Sequence, residues 1–175
     1  PEMVTFERPR GGDTALQKAA DLLSSAKSPV ILNGAGVILA NGISESIKLA
    51  ERLDAPVCVG YQHNDAFPGS HPLFAGPLGY NGSKAGMELI SNADVVLCLG
   101  TRLNPFSTLP GYGIDYWPKD AKIIQVDINP DRIGLTKKVT VGIIGDAKNA
   151  ASALLEKLSD TAGDSGRAER KATIA

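Results

Sequence analysis

Two glycines near the start of the chain have the spacing that a phosphate-binding turn requires. Gly34, Ala35 and Gly36 follow the apolar run 30–32 and precede a helix-like pattern. Glycines in this position let backbone amides approach a phosphate, and the amino end of a helix favours negative charge. A tight turn between a strand and a helix explains the run equally well. Leu39 stands where the dinucleotide fingerprint has its third glycine, and no acid ends the second strand.

An arginine follows the most strongly apolar run of the chain. Gly100, Thr101 and Arg102 come directly after residues 94–99. A guanidinium group at the end of a buried strand is able to grip a pyrophosphate with two parallel hydrogen bonds. The alternative is an arginine that holds the long loop after it, and the sequence leaves both roles open.

A carboxylate ends the next apolar run. Asp127 is able to accept hydrogen bonds from ribose hydroxyls, while backbone groups of Ile128 face an adenine edge. Alternatively, Asp127 or Asn129 only caps the short helix that follows. One strand later, Gly145 and Asp146 repeat the arrangement, and there capping of the last helix is the favoured interpretation.

The two histidines do not form a recognisable catalytic or metal-binding pattern. His63 and His71 lie in one long segment with Asp65 nearby, but their spacing differs from the helical pair of a metalloprotease. We therefore favour surface or interface histidines over catalysis. The chain also lacks a Gly-x-Ser-x-Gly elbow and a Gly-x-x-x-x-Gly-Lys-Ser/Thr loop. The sequence predicts no catalytic residue and no metal site within this chain.

Composition narrows the class of partner. A formal net charge of -1 gives no basic field for nucleic acid. No apolar run approaches the roughly 20 residues that span a bilayer, and the amino terminus has no signal-peptide core, so we expect a cytoplasmic protein without membrane contact. Cys58 and Cys98 each lie inside a strand-like run, which favours buried apolar cysteines over a disulfide or a metal pair.

The elements that must position these residues alternate between strands and helices. Asp13 is predicted to cap a first helix that ends near Lys27, and a single helix is predicted between the first two strands. The predicted strands cover residues 30–32, 57–59, 94–100, 122–127 and 139–144. This rhythm predicts an α/β fold: a three-layer, Rossmann-like domain with a mainly parallel sheet of about five or six strands and helices on both faces. Ligands of such sheets bind at the carboxyl ends of the strands.

Two long segments interrupt the rhythm, and the ends of the chain are polar. Residues 60–83 are predicted to be a functional loop. The aromatic-rich segment 101–119 has two possible roles: it forms a protein interface or ligand lid, or it packs on its own aromatic rings. We assign residues 1–12 to a lead-in, 13–158 to one domain and 159–175 to a linker or disordered tail. Both ends are expected to be cuts or linkers.

Five runs of residues together resemble the central domain of thiamine-diphosphate enzymes such as acetolactate synthase, pyruvate oxidase and oxalyl-CoA decarboxylase. They are Ser-Pro-Val-Ile-Leu-Asn-Gly-Ala-Gly at 28–36, Asn-Ala-Asp-Val-Val at 92–96, Gly-Thr-Arg-Leu-Asn at 100–104, Ile-Gln-Val-Asp-Ile-Asn-Pro at 124–130 and Gly-Asp-Ala at 145–147. The resemblance covers about residues 10–158. Within this superfamily, the loops 60–68 and 104–113 look most like those of the sulfoacetaldehyde acetyltransferases.

The resemblance implies that the catalytic cofactors lie elsewhere. Thiamine diphosphate and Mg²⁺ are held in the family by amino- and carboxy-terminal domains, and the family's Gly-Asp-Gly metal motif is not matched because Ala147 follows Asp146. Some central domains of the family bind FAD or ADP. In flavin-binding relatives a Gly-Met-His-Gly type of run lies near the flavin, whereas Tyr80 and Asn81 stand here. By resemblance the nucleotide-binding residues are Gly34, Ala35, Gly36, Gly100, Thr101, Arg102, Asp127, Ile128, Asn129, Gly145, Asp146 and Ala147.

The leading hypothesis is the central domain of an enzyme that resembles sulfoacetaldehyde acetyltransferase, inactive alone and flanked in a homo-oligomeric parent by the thiamine-binding domains. The parent reaction implied is sulfoacetaldehyde plus phosphate giving acetyl phosphate plus sulfite. The alternatives are the central domain of an acetolactate synthase-like enzyme and a stand-alone FAD- or ADP-binding module. A nicotinamide-dependent dehydrogenase ranks last because the glycine fingerprint is incomplete and no catalytic acid is evident.

Overall fold

The computed structural model describes residues 7–174, and six strands in it form one sheet. The strands are β1 (Pro29–Asn33), β2 (Val57–Val59), β3 (Phe74–Pro77), β4 (Val95–Leu99), β5 (Lys122–Asp127) and β6 (Val141–Ile144). Their order is β3-β2-β1-β4-β5-β6, and every neighbouring pair is parallel. The order reverses between β1 and β4, and a crevice opens at such a point beyond the carboxyl ends of the strands.

Helices cover both faces of the sheet. They are α1 (Asp13–Ser25), α2 (Ala35–Leu39), α3 (Ile43–Leu53), α4 (Lys84–Ser91), α5 (Ala147–Lys157) and α6 (Arg167–Ile174). One core contains apolar residues of α1, α3 and α5, and the other contains Met87 and Ile90 of α4 together with Leu103 and Tyr116 from the long loop after β4. The predicted three-layer α/β fold with a parallel sheet is confirmed. Because this chain supplies both cores itself, we expect it to fold alone.

The central strands are apolar without alternation because both of their faces are covered. All five residues of β4 are buried, with Leu97 in one core and Val96 and Cys98 in the other. Burial of a side chain such as Leu97 contributes about 2 kcal/mol. The strands end where polar residues and glycines begin, and this places the candidate binding residues along one edge.

Both cysteines are free and fully buried, as the sequence predicted. Leu32 pairs with Cys58 on one side and with Cys98 on the other, so the two thiols lie two strand spacings apart. That separation is about 9.5 Å, which exceeds the reach of a disulfide. Burial raises the pKa of the Cys58 thiol to about 12 and shifts the pKa of Cys98 in the same direction.

The segment 60–83 holds more structure than the predicted loop. It contains a short 3₁₀ turn over Asn64–Ala66 and the edge strand β3, which pairs with β2 through an irregular register. The sequence hides β3 because Gly76, with a positive φ of 95°, and Pro77 make up half of it. Both residue types are unusual inside strands and are tolerated at an edge.

Two predicted helix boundaries are wrong. Gly12, not Asp13, is the N-cap of α1, and Asp13 is its first residue, where its carboxylate accepts a hydrogen bond from Arg10 at 2.9 Å. An acid in the first turn still favours the helix. The single helix predicted after β1 is divided into α2 and α3, because Asn41 adopts the left-handed conformation (φ 55°) between them.

Residues 159–174 contain turns and the helix α6, within the segment that the sequence analysis assigns to a linker or disordered tail. Turns lead into α6, and the guanidinium group of Arg170 lies buried against backbone carbonyls of the domain. The role of this segment as a linker stays a prediction. Among residues 7–174, no helix combines the length and the apolar character needed to cross a membrane.

Candidate functional site

A cavity of about 380 Å³ lies at the carboxyl ends of β1, β4, β5 and β6. Every predicted binding residue except Gly34 and Asn129 lines it. The volume falls within the range of small-molecule sites, roughly 300–1,000 Å³. The residues meet here because parallel strands deliver their carboxyl ends to one edge of the sheet.

The glycines of the first run serve the packing of two loops. A Cβ atom on Gly34 would lie 2.5 Å from Thr101 Cβ, and one on Gly36 would lie 2.6 Å from Gly100 Cα. The amide of Gly34 donates to Leu99 O at 3.0 Å and the amide of Gly36 donates to Gly100 O at 2.8 Å. Since both amides have protein acceptors, this geometry favours the tight-turn interpretation over direct phosphate binding by the two glycines.

The cavity has a cationic wall. Arg102 and Arg132 line it, both are exposed, and within residues 7–174 neither side chain forms an ion pair or a hydrogen bond. The alternative role of Arg102, holding the following loop, therefore has no contact in the described chain to support it. Two guanidinium groups with free donors are suited to a diphosphate.

Asp127 and Asn129 have separate roles. Asn129 caps the 3₁₀ turn over Pro130–Arg132, because its Oδ1 accepts the amide of Asp131 at 2.9 Å. Asp127 is 5% exposed and its Oδ1 accepts the amide of Asn129 at 2.9 Å. The second carboxylate oxygen of Asp127 makes no hydrogen bond within residues 7–174, which leaves an acceptor at the cavity wall. Exposed Ile128 adds an apolar surface beside it.

Asp146 is a capping residue, as favoured from the sequence. Its Oδ1 accepts the amides of Lys148 and Asn149 at 3.1 Å, and its Oδ2 lies 3.2 Å from a guanidinium nitrogen of Arg8. Both oxygens are thus occupied. Gly145 lies against the lead-in, because a Cβ there would approach Arg10 C at 3.1 Å. Among residues 7–174, no three His, Cys, Asp or Glu side chains are grouped as metal ligands.

Sequence reasoning missed several residues of the cavity wall. They are Arg8, Leu39, Ala40, Tyr61, Gln62, His63, Asn104, Ser107 and Arg132. The long segment 60–83 carried a signal, since its length suggested function, but His63 was interpreted as a surface or interface histidine. Arg132 could also have been predicted from the sequence, because it lies in the turn that follows Asp127. Arg8 had no signal because it is 138 positions away from its partner Asp146.

The buried side-chain amide of Asn33 holds the loop that carries His63 against the sheet. The Nδ2 group of Asn33, at the end of β1, donates to Ser46 Oγ at 2.8 Å and to Ala66 O at 3.0 Å. These bonds join α3 and the 3₁₀ turn after His63 to the sheet. His71 lies away from the cavity wall, with Nε2 3.4 Å from Glu51 and its ring edge-on to Phe67.

The aromatic segment after β4 is partly exposed and partly buried. Phe106 and Tyr112 are 59% and 65% exposed, which suits an interface or a lid. Tyr116 is buried in the second core, and Lys137 lies over the ring of Trp117 at 5.1 Å. The half of the segment nearest β5 is therefore packed on the domain itself.

Comparisons with known proteins agree on one family. The family model described as "Thiamine pyrophosphate enzyme, central domain" matches residues 16–154. The chain is 79% identical to a sulfoacetaldehyde acetyltransferase of Roseovarius nubinhibens over 175 residues, which is 100% of this chain and 29% of the relative. It is 38% identical over 148 residues to a "probable acetolactate synthase large subunit" of Methanocaldococcus jannaschii, covering 85% of this chain and 24% of that protein.

A solved structure extends the agreement to three dimensions. The chain resembles an enzyme from Mycobacterium smegmatis assigned as thiamin diphosphate-dependent, with a TM-score of 0.73 and 26% identity. The match covers 90% of this chain and 30% of that chain. The curated relatives are likewise much longer, since this chain spans 29% of the relative from Roseovarius nubinhibens.

Proposed function

The chain belongs to the central-domain family of thiamine pyrophosphate enzymes, and from this membership we propose that it serves as the central domain of a sulfoacetaldehyde acetyltransferase. The observation that carries the proposal is 79% identity along the whole chain to a protein of that name. The alternative parent, an acetolactate synthase-like enzyme, is supported by only 38% identity over a shorter match.

The chemistry of the parent belongs to segments outside this chain. Thiamine diphosphate supplies the carbanion chemistry of such enzymes when bound. The residues here do not fit its Mg²⁺, because both oxygens of Asp146 are engaged in capping α5 and pairing with Arg8. We propose that flanking domains hold both, in a homo-oligomeric cytoplasmic enzyme, and that this chain alone is inactive.

The parent activity is tested by a segment exchange. This chain replaces the matching segment of the Roseovarius nubinhibens enzyme, and the control replaces it with the corresponding Methanocaldococcus jannaschii segment. We expect the first chimera to keep forming acetyl phosphate from sulfoacetaldehyde and phosphate, because the surfaces that meet the flanking domains are retained. The control chimera should lose most of that activity, and this chain alone should produce no acetyl phosphate.

Two outcomes of the segment exchange would contradict the proposed parent or the inactivity of this chain alone. If the first chimera folded as the parent does but formed no more acetyl phosphate than the control chimera, the proposed parent would lose its support. Acetyl phosphate formation by the isolated chain would refute the expected division of labour. Circular dichroism and oligomer size, compared with the unaltered enzyme, show whether a chimera has folded.

We further propose that the cavity binds the ADP moiety, either as free ADP or as part of FAD. Three wall features support this proposal. Arg102 and Arg132 offer unpaired guanidinium donors for a diphosphate, and Asp127 retains an acceptor for ribose hydroxyls. Ile128, 56% exposed, offers an apolar contact and backbone groups to an adenine. Tyr80 and Asn81 replace the run found near the flavin in flavin-binding relatives, so we favour ADP over FAD.

A thermal-shift titration of the chain with ADP, FAD and NAD tests the nucleotide site. A ligand at 100 times its dissociation constant stabilises the folded state by about 2.7 kcal/mol. We expect ADP to raise the melting temperature, and we expect Arg102→Ala and Asp127→Ala each to weaken the effect. Lys119→Ala, which removes an exposed cation that does not line the cavity, is the control and should leave the shift unchanged. No shift with any nucleotide would leave the domain a structural spacer.

A further inference from the structure

One buried side chain connects the two loops that carry the free arginines. Gln125 lies on β5, two residues before Asp127, and is 1% exposed. Its Nε2 group donates to Thr101 O and to Arg132 O, both at 3.1 Å. Its Oε1 accepts the amide of Gly134 at 2.9 Å. The carboxamide therefore fixes the loop after β4 and the loop after β5 at once.

The two anchored loops deliver the cationic wall of the cavity. Thr101 directly precedes Arg102, and Arg132 is itself one of the anchored residues. Both arginines line the same cavity, and neither side chain forms an ion pair within residues 7–174. The buried bonds of Gln125 join the two loops, so the backbone segments that carry both arginines are held together.

We propose that Gln125 is a positioning residue that holds Arg102 and Arg132 as one binding unit for a diphosphate. The proposal rests on the proposed nucleotide site. A carboxamide suits this position because it donates two hydrogen bonds and also accepts, whereas a carboxylate has no donors to offer two carbonyls and an apolar side chain has no polar group at all.

The test compares ligands with and without phosphate. Gln125→Met keeps the length of the side chain and removes its donors, and Gln125→Asn keeps the amide but is too short to join both loops. By isothermal calorimetry we expect either variant to bind pyrophosphate and ADP about tenfold more weakly than the unaltered chain. Adenosine, which makes no use of the arginines, should bind with unchanged affinity. A Gln125→Met/Arg102→Met double variant should lose less than the sum of the two single effects.

A second variant on the same strand separates positioning from general destabilisation. Ile123 is 3% exposed and lies on the same face of β5 as Gln125, but it forms no hydrogen bond to either anchored carbonyl. Ile123→Ala should lower the melting temperature and leave pyrophosphate affinity unchanged. If Ile123→Ala weakened pyrophosphate binding as much as Gln125→Met does, Gln125 would be only a stabilising residue.

The ligands also separate this proposal from the proposed function. Binding of pyrophosphate but not ADP by the unaltered chain would refute the nucleotide site and leave the role of Gln125 to be decided by the pyrophosphate affinities. Unchanged pyrophosphate affinity in both Gln125 variants would overturn the positioning role while ADP binding still stood. Binding of neither ligand by the unaltered chain would overturn both.

Discussion

Arg170→Met is expected to lower the free energy of unfolding by about 3 kcal/mol and to release α6 from the domain. Arg170 is 5% exposed, and its guanidinium group donates to carbonyl oxygens of five residues. These residues are Lys27, Leu53, Asp54, Gly163 and Ser165. They belong to the segment after α1, the end of α3 and the turns before α6, so one side chain joins three parts of the chain. Methionine fills the space but leaves those carbonyls without their donors.

Urea unfolding and hydrogen exchange measure the two effects of Arg170→Met separately. The midpoint of unfolding should fall, and the amides of α6 should exchange faster than those of α5. Arg170→Lys should recover only part of the loss, because an ammonium group has three donors and lacks the planar fork of a guanidinium. Lys171→Met, at the exposed neighbouring position, is the matched control and should change stability little. An unchanged midpoint in Arg170→Met would mean that α6 is not held by this residue.

Residues 159–174 show that a packed segment is not always recognisable from its amino-acid composition. A polar segment with two glycines predicts a linker because charged side chains are rarely buried. The exception at Arg170 depends on carbonyls that are 116 and 143 positions away in the chain, and no local pattern encodes their convergence. By contrast β4 and β5 were predictable, since their apolar runs are long and their ends are marked by polar residues or glycine. The edge strand β3 was not, because glycine and proline make up half of it.

The candidate site was predictable to the extent that strand ends define it. Arg102 and Asp127 could be placed together because parallel strands bring their carboxyl ends to one edge. Arg8 could not, since it reaches the wall only through the fold of the lead-in, where Asp146 donates its amide to Pro9 O at 2.7 Å. The role of Gly36 was left open by the sequence. The structure shows that Gly36 packs directly against Gly100, and this contact favours a role in loop packing.

Gly100→Ala is expected to cost about 3 kcal/mol of stability, because it combines backbone strain with a steric clash. Gly100 has a φ of 60°, where a side chain is unfavourable. A Cβ there would lie 2.7 Å from Gly36 Cα and 2.8 Å from the amide nitrogen of Val37. The clashing atoms are backbone atoms, which cannot rotate away, so the two loops at the ends of β1 and β4 must move apart.

Two matched substitutions divide that cost into its parts. Gly113 has a φ of 73° and open space where its Cβ would be, so Gly113→Ala measures strain alone, about 1 kcal/mol. Gly36 is not among the residues with positive φ, and its Cβ would lie 2.6 Å from Gly100 Cα, so Gly36→Ala introduces the clash without that strain and should cost about 2 kcal/mol. The midpoints of urea unfolding should fall least for Gly113→Ala and most for Gly100→Ala.

The Gly36→Ala variant also distinguishes the two roles considered for the run 34–36, which are loop packing and phosphate binding. If loop packing is its role, Gly36→Ala must destabilise the chain in the absence of any nucleotide. If Gly36→Ala left stability unchanged but abolished the thermal shift produced by ADP, the glycine would serve close approach of a phosphate instead. The amide of Gly36 already donates to Gly100 O at 2.8 Å, and a phosphate would have to displace that acceptor. We therefore expect the stability loss, with Arg102 and Arg132 left as the groups that bind the anion.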